Sequence, residues 1–350
     1  MEENKLKRRS FLKLAGAALA GMSLPFKSRS ADAQISTNLA SSARFWKTNP
    51  ANGLEYLQQT VVNTKFVHSD NIIWGKVDGW WQKYQLAEYD QEFLDWWVND
   101  TFKWYELIFS TPSQPIPNGG HHTPGIATYS RRGVGRGDSS FHLNSAFKSI
   151  TIIPKLENID EYLSVYEQAL AYNAGTSTNP GPYNLDWKKA KLKDSNYWDR
   201  RLLGMVDLYS GRDFVEQTFG FKESHYLLNT MVNPVANVLF LDTWTQSAAP
   251  TWEFRGIVAN THWNDPNKPN HDPTQVSDDL YQKYLKCVIL PHKLQHGQDE
   301  NFIGVVMHVV EQFDNRDSDA MPGRGVRIVP SFNYLASHFE YSLKKMVGKV

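Results

Sequence analysis

Phe93, Trp97, Trp104 and Ile108 recur at i, i+4, i+11 and i+15, a single apolar stripe that predicts a helix over 90–109. The stretch around it, from Ala51 to Leu107, reads as mainly helical, and Pro112, Pro115 and Pro117 then end the helical region. Apolar runs predict strands near 147–153, at 236–243, 252–260 and 302–313, and a short one at 325–329. Helical spacing returns at 157–173, where Asn158 or Asp160 is placed to cap, in two or three segments across 184–230, at 276–290, and in a terminal segment at 332–346. The chain shows no internal repeat.

Helical segments thus come first, and strands gather in the second half with helices between them. That order predicts an α+β fold, a helical N-terminal half packed on a mixed or antiparallel sheet, rather than a doubly wound one. By analogy, the strand-helix pieces at 147–173 and 302–346 suit ferredoxin-like or dimeric α/β-barrel-like modules. Residues 34–50 read as a tether and 51–350 as one large globular domain. The Gly/Pro/Arg-rich loop at 111–139 is where a sub-boundary would fall.

The N-terminus changes which residues belong to the folded protein. Lys5, Lys7, Arg8 and Arg9 precede an apolar, Gly/Ala-rich run from Leu14 to Phe26, followed by Ala31-Asp32-Ala33, an A-x-A cleavage signature that places the cut before Gln34. A helix of about 13 residues at about 1.5 Å each reaches roughly 20 Å, short of a hydrocarbon core of about 30 Å, which disfavours a membrane anchor. No cysteine lies near the cut, so a lipoprotein reading fails. Arg8-Arg9-Ser10-Phe11-Leu12-Lys13 resembles the R-R-x-F-L-K core of twin-arginine (Tat) export signals, departing only at Lys7, where Ser or Thr is commoner. The resemblance implies a periplasmic or secreted protein, the Tat translocation machinery as a partner, folding before export, and time to acquire a cofactor first.

Removing residues 1–33 turns a neutral chain into a mature one of 317 residues with net charge −4. That argues against nucleic acid as a partner, since a polyanion calls for a basic stripe. No second apolar run of membrane-spanning length occurs, so no span is expected in the mature form. Cys287 is the chain's single cysteine, which excludes an intramolecular disulfide, an iron–sulfur cluster, c-type haem attachment and zinc-finger patterns. Its apolar setting, Tyr284 to Leu290, suits a core filler.

Histidines carry the clearest candidate chemistry. His292 and His296 stand at i, i+4, and His308 follows on the next strand; three imidazoles with an open position would describe a catalytic metal centre. Pro291 disfavours a helical Leu290, and the alternative reading has the pair begin a new turn. The spacing lacks the glutamate of H-E-x-x-H and hence a metalloprotease base. His121 and His122, in "GGHHTPG", offer a general acid/base or a ligand on a flexible loop. Nearby "RRGVGRGD" could bind an anion through Arg131, Arg132 and Arg136, but it is no dinucleotide fingerprint, so NAD is not expected. Glu253 and Arg255 share a strand face as a surface ion pair or part of a polar pocket wall. Asn315, Asp317 and Asp319 mimic the start of a calcium loop, but Ala320 and Val326 stand where Gly and Glu are required.

Twelve tryptophans, clustered at Trp74, Trp80-Trp81, Trp96-Trp97 and Trp104, serve either as core or as walls of a pocket for an apolar, aromatic or carbohydrate ligand. Three readings of function follow. The first is an exported enzyme acting on a small apolar or aromatic molecule, an oxidoreductase with a transition metal or b-type haem. The second is a cofactor-free lyase, cyclase or hydrolase with a His/carboxylate site. The third is a periplasmic binding protein that stacks its ligand on Trp and Tyr. Oligomeric state is not legible.

Overall fold

A computed structural model describes residues 45–110 (apart from 49, 52 and 54), 123–130, 143–207 (apart from 180), 224–241, 250–261, 279–296, 303–315 and 326–329. Two short strands, β1 (Trp46–Thr48) and β2 (Glu55–Leu57), form a ribbon. After them β3 (Val62–Asn63), β4 (Ile72–Val77) and β5 (Trp80–Gln85) build a three-stranded antiparallel sheet. The expected helical character of 51–85 is therefore replaced by strands. Asp78 and Gly79 turn the chain between β4 and β5 with φ of 49° and 90°. Positive φ at both central residues is what a two-residue hairpin needs to match strand twist.

The expected helix is present as α1 (Gln91–Ser110). Asp90 caps it, its Oδ1 accepting from the Phe93 N–H at 2.9 Å. Gln312, on the last long strand, grips the same residue twice: its Nε2 donates to Asp90 Oδ1 and its Oε1 accepts from the Asp90 N–H, both at 2.9 Å. Of the stripe, Phe93 and Trp97 are buried; the Trp104 and Ile108 side chains lie outside the described residues. Phe93 is ringed by Tyr89, Trp97, Phe240, Trp252 and Phe254, most of them edge to face.

The remaining strands are β6 (Gly125–Tyr129), β7 (Leu143–Phe147), β8 (Ser149–Pro154), β9 (Trp198–Asp207), β10 (Val235–Leu241), β11 (Pro250–Thr261), β12 (Ile303–Asp314) and β13 (Val326–Val329). They form an eight-stranded antiparallel sheet in the order β7-β6-β10-β11-β12-β9-β8, with β13 also beside β12. β6 lies inside the expected 111–139 loop, and β9 inside the expected helical 184–230. The fold is α+β, as the element order predicts. Helices α2 (Ile159–Asn173), α3 (Leu185–Lys193), α4 (His225–Thr230) and α5 (Asp279–His296), with a 3-10 turn over Leu156–Asn158 before α2, complete the described elements. Asn158 occupies the N-cap position of α2 but makes no side-chain cap; its amide donates to the Tyr197 carbonyl. The terminal segment 332–346 lies outside the described residues.

Helix α5 runs unbroken through Pro291. It lies so close to β9 that a Cβ on Gly204 would stand 2.7 Å from Val288 Cγ2 and 3.1 Å from Thr151 Cγ2. Glycine is required there for close approach rather than for its backbone freedom. Across β11, Ile257 and Ala259 join Val62, Ile73 and Val77 in a second core that fastens the small sheet to the large one. Among the described residues no helix is long and apolar enough to cross a membrane.

Candidate functional site

Between α5, α2, α3 and the strands β8 and β9, with α1 closing one side, lies a partly open cavity of about 90 Å³. Its aromatic walls are Trp97 from α1, Tyr162 and Tyr166 from α2, Trp187 from α3 and Trp198 from β9. These rings brace one another. Tyr162 and Tyr166, one turn apart, have centroids 4.7 Å apart, Trp187 stands edge-on to Tyr166 at 6.2 Å, and Trp198 edge-on to Tyr162 at 6.1 Å. The Trp198 indole N–H donates to the Lys191 carbonyl at 2.9 Å, fixing the end of α3 against the sheet.

Four kinds of polar group reach the same space: Lys188 and Lys191 from α3, His292 from α5, hydroxyls of Thr101, Ser149 and Thr151, and the two tyrosines. Asn184 starts α3 by accepting from the Trp187 N–H at 2.8 Å, and Lys188 follows one turn in. Lys188 is half-buried, and desolvation of its amino end lowers its pKa to about 8. The Lys191 amino group meets Glu161 Oε1 at 2.7 Å and lies 4.3 Å from the centre of the Tyr197 ring. Burial raises Tyr162 and Tyr166 well above the ordinary phenol range, so both stay neutral donors. His292 is 5 % exposed.

His296 sits one turn beyond His292 on the unbroken α5, which retains the i, i+4 spacing through Pro291; its side chain lies outside the described residues. His308 does not line this cavity. Its Nδ1 lies 3.3 Å from the Ile257 carbonyl, in a separate polar cluster with His68, Arg201 and Asp199 nearby. There Arg201 grips Asp199 bidentately, Nε to Oδ1 at 2.8 Å and Nη2 to Oδ2 at 2.7 Å, and donates to Asn71 Oδ1 at 3.0 Å. Tyr284 of α5 meets His68 Nε2 at 3.1 Å. Burial is the main cause that lowers both histidines, His308 to about 4. Among the described residues no group of three or more His, Cys, Asp or Glu is placed to hold a metal ion.

His121 and His122 lie outside the described residues, as do Arg131, Arg132 and Arg136. Glu253 and Arg255 pair on β11 at 2.7 Å, with Asn237 and Asn315 donating to the carboxylate and Phe313 under the guanidinium at 4.3 Å. The Arg255 side chain is 48 % exposed, and neither residue lines the cavity. Trp80 and Trp81 project from the hairpin at 76 % and 48 % exposure, whereas Trp97 serves both the core and the cavity. Sequence reasoning missed Lys188, Tyr162, Tyr166, Trp187 and Trp198. The available signals were Tyr162 and Tyr166 on one face of a predicted helix and a tryptophan beside two lysines in "DWKKAKLK".

No protein-family model and no curated protein matches the chain. Among solved structures, HutZ, the haem storage protein from Vibrio cholerae, is similar at 9% identity over 55% of this chain and 85% of its own, with a TM-score of 0.27. Campylobacter jejuni ChuZ is similar at 11% identity over 80% of this chain and 82% of its own, with a TM-score of 0.21.

Proposed function

We propose that this chain is an exported protein that binds a small, mostly apolar molecule carrying one polar group in the cavity between α5, α3 and β8–β9. The observation that carries the reading is the joint placement of Lys188 and His292 inside braced aromatic walls. An apolar enclosure with a few convergent polar groups, one of them shifted in pKa by desolvation, is the usual form of a ligand or reaction site. About 90 Å³ admits a handful of heavy atoms, so the bound species is a small metabolite-like molecule. Enzymatic action is the stronger form of this reading, because a lysine near pKa 8 is both base and nucleophile at neutral pH. The metal- and haem-assisted form rests on His292, His296 and the Tat-like leader.

Trp97, Trp187 and Trp198 surround the space, so occupancy should alter intrinsic emission. Titration of the mature protein with short-chain alcohols, acids and carbonyl compounds should shift that emission saturably, and Trp187→Phe should reduce the change. Unaltered emission across the panel would refute the binding site. An absorption spectrum and metal analysis of protein from its native host test the cofactor: a Soret band or stoichiometric metal supports it, and a colourless, metal-free, ligand-competent protein removes it.

A further inference from the structure

We propose that the chain forms a two-fold dimer in solution through strand β7, which pairs antiparallel with the same strand of a second copy about an axis at Ser145. β7 is the end strand of the eight-stranded sheet, paired with β6 on one side and with no other described strand. Proteins blunt such edges with a charge, a proline or extreme shortness, because a bare edge recruits another strand. The other described edge strands of three or more residues follow that rule: β1, β2, β5, β8 and β13 carry Lys47, Glu55, Lys83, Pro154 and Arg327. β7 reads Leu143-Asn144-Ser145-Ala146-Phe147, with no charge and no proline. Its exposed face is apolar at both ends: Leu143 is 71 % and Phe147 54 % exposed.

The sequence of β7 fits itself. Residues 143, 145 and 147 share one face of the strand. With the axis at Ser145, Leu143 faces the partner's Phe147, Phe147 faces the partner's Leu143, and Ser145, small and exposed, faces its own copy. Two Leu/Phe pairs thereby close on one face of a sheet that runs through both copies, and directly opposed side chains of this kind are what stabilises antiparallel pairing. Within one copy the same side chains lack such cover. Phe147 stands opposite Gly125, which offers no side chain, and Leu143 opposite Tyr129, itself 36 % exposed. A slip of one residue would set Phe147 against Asn144, so the apolar pattern selects this register. Five residues a side bury less than the roughly 1,200–2,000 Å² of a standard stable interface, so the dimer should dissociate on dilution through the micromolar range. The cavity lies at the far end of the sheet, at β8 and β9, and the pairing leaves it uncovered in both copies.

Sedimentation velocity of the full mature chain should show a monomer that passes to a dimer as concentration rises through the micromolar range. Leu143→Lys combined with Phe147→Lys sets ammonium groups opposite one another across the axis and should weaken the dimer on the order of 10-fold or more. Leu143→Glu combined with Phe147→Lys sets opposite charges there and should recover it. Both positions are exposed, so the urea midpoint should hold in each variant. Ser145→Cys reads the register separately. Facing Cα atoms of an antiparallel pair lie about 4.5–5.5 Å apart, within disulfide reach, and Cys287 is buried, so mild oxidation should yield a covalent dimer. Leu156→Cys, exposed and outside β7, should crosslink far more slowly at the same concentration. A monomer at every concentration, a dimer indifferent to the lysine pair, no recovery by the charge exchange, or Ser145→Cys crosslinking no faster than Leu156→Cys each overturns the proposal. None of these outcomes touches the cavity reading, which stands or falls on the tryptophan titration.

Discussion

His308 is an ionisable ring that the fold keeps neutral. It is 3 % exposed, set beside Arg201 and His68, and its pKa falls to about 4. Below pH 6.5 the unfolded chain takes up a proton that the folded chain refuses until about pH 4, so folding loses stability as pH falls through that window and the loss ends below it. His68, also lowered, acts in the same direction. The urea midpoint should therefore drop between pH 7 and pH 4.5, and His308→Gln should flatten part of that slope. Gly204 makes a second residue-scale prediction. Gly204→Ala should cost about 1–3 kcal/mol in urea unfolding, because a methyl would enter the 2.7 Å gap to Val288, and Val288→Ala should recover much of the loss. Of the candidate residues, His292 was legible because helical spacing can be counted along a sequence. Lys188 was not, because nothing in "DWKKAKLK" tells which of its lysines loses water; that depends on rings from α1, α2 and β9. Glu253 and Arg255 were legible as a strand-face pair, and the structure resolves them as a half-buried network with Asn237 and Asn315, with the guanidinium on the exposed side.

Several elements that matched expectation bury one side only. α1, α2 and β10 each press one face or one alternating set into the core, and period alone reveals them. The hairpin of β4 and β5 escaped because β5 is exposed at five of its six positions, including both tryptophans, and so lacks alternation. Its available signal was the Asp78-Gly79 dipeptide, a turn signature. β9 escaped because its residues 202–206 are buried on both faces, a continuous apolar run that period cannot distinguish from helix. Pro291 argued for a break that tertiary packing overrides, since Val288 and Ile289 before it are buried against the core. The join of α1 to β12 can be tested as a unit. Asp90→Ala should lower stability by about 1–2 kcal/mol through loss of the cap. Combined with Gln312→Ala, the loss should be less than additive in a double-mutant cycle, because the two residues share one set of hydrogen bonds.

At the scale of the molecule, the antiparallel sheet gathers strands from positions 125 to 329, so its pairings are long-range and were not deducible from local pattern. Composition constrained the whole more firmly than pattern did: the lone cysteine removes disulfide, iron–sulfur and zinc-finger frameworks whatever the topology. The export we propose makes its own prediction. Replacing Arg8 and Arg9 together by lysine should leave the precursor in the cytoplasm, measured by fractionation, while the same change should not affect the unfolding midpoint of the mature domain.

Cys287 lies on α5 at 0 % exposure, in the main core and five residues before His292. Burial raises its pKa, so it resists thiol reagents while the helix stays docked. Because no other thiol competes, the rate at which the native protein reacts with a chromogenic disulfide is a clock for α5 lifting from the sheet, read without labels or engineered probes. A ligand that needs His292 in place must slow that clock in proportion to its occupancy, so one cysteine of no chemical consequence becomes the gauge of whether the cavity is filled.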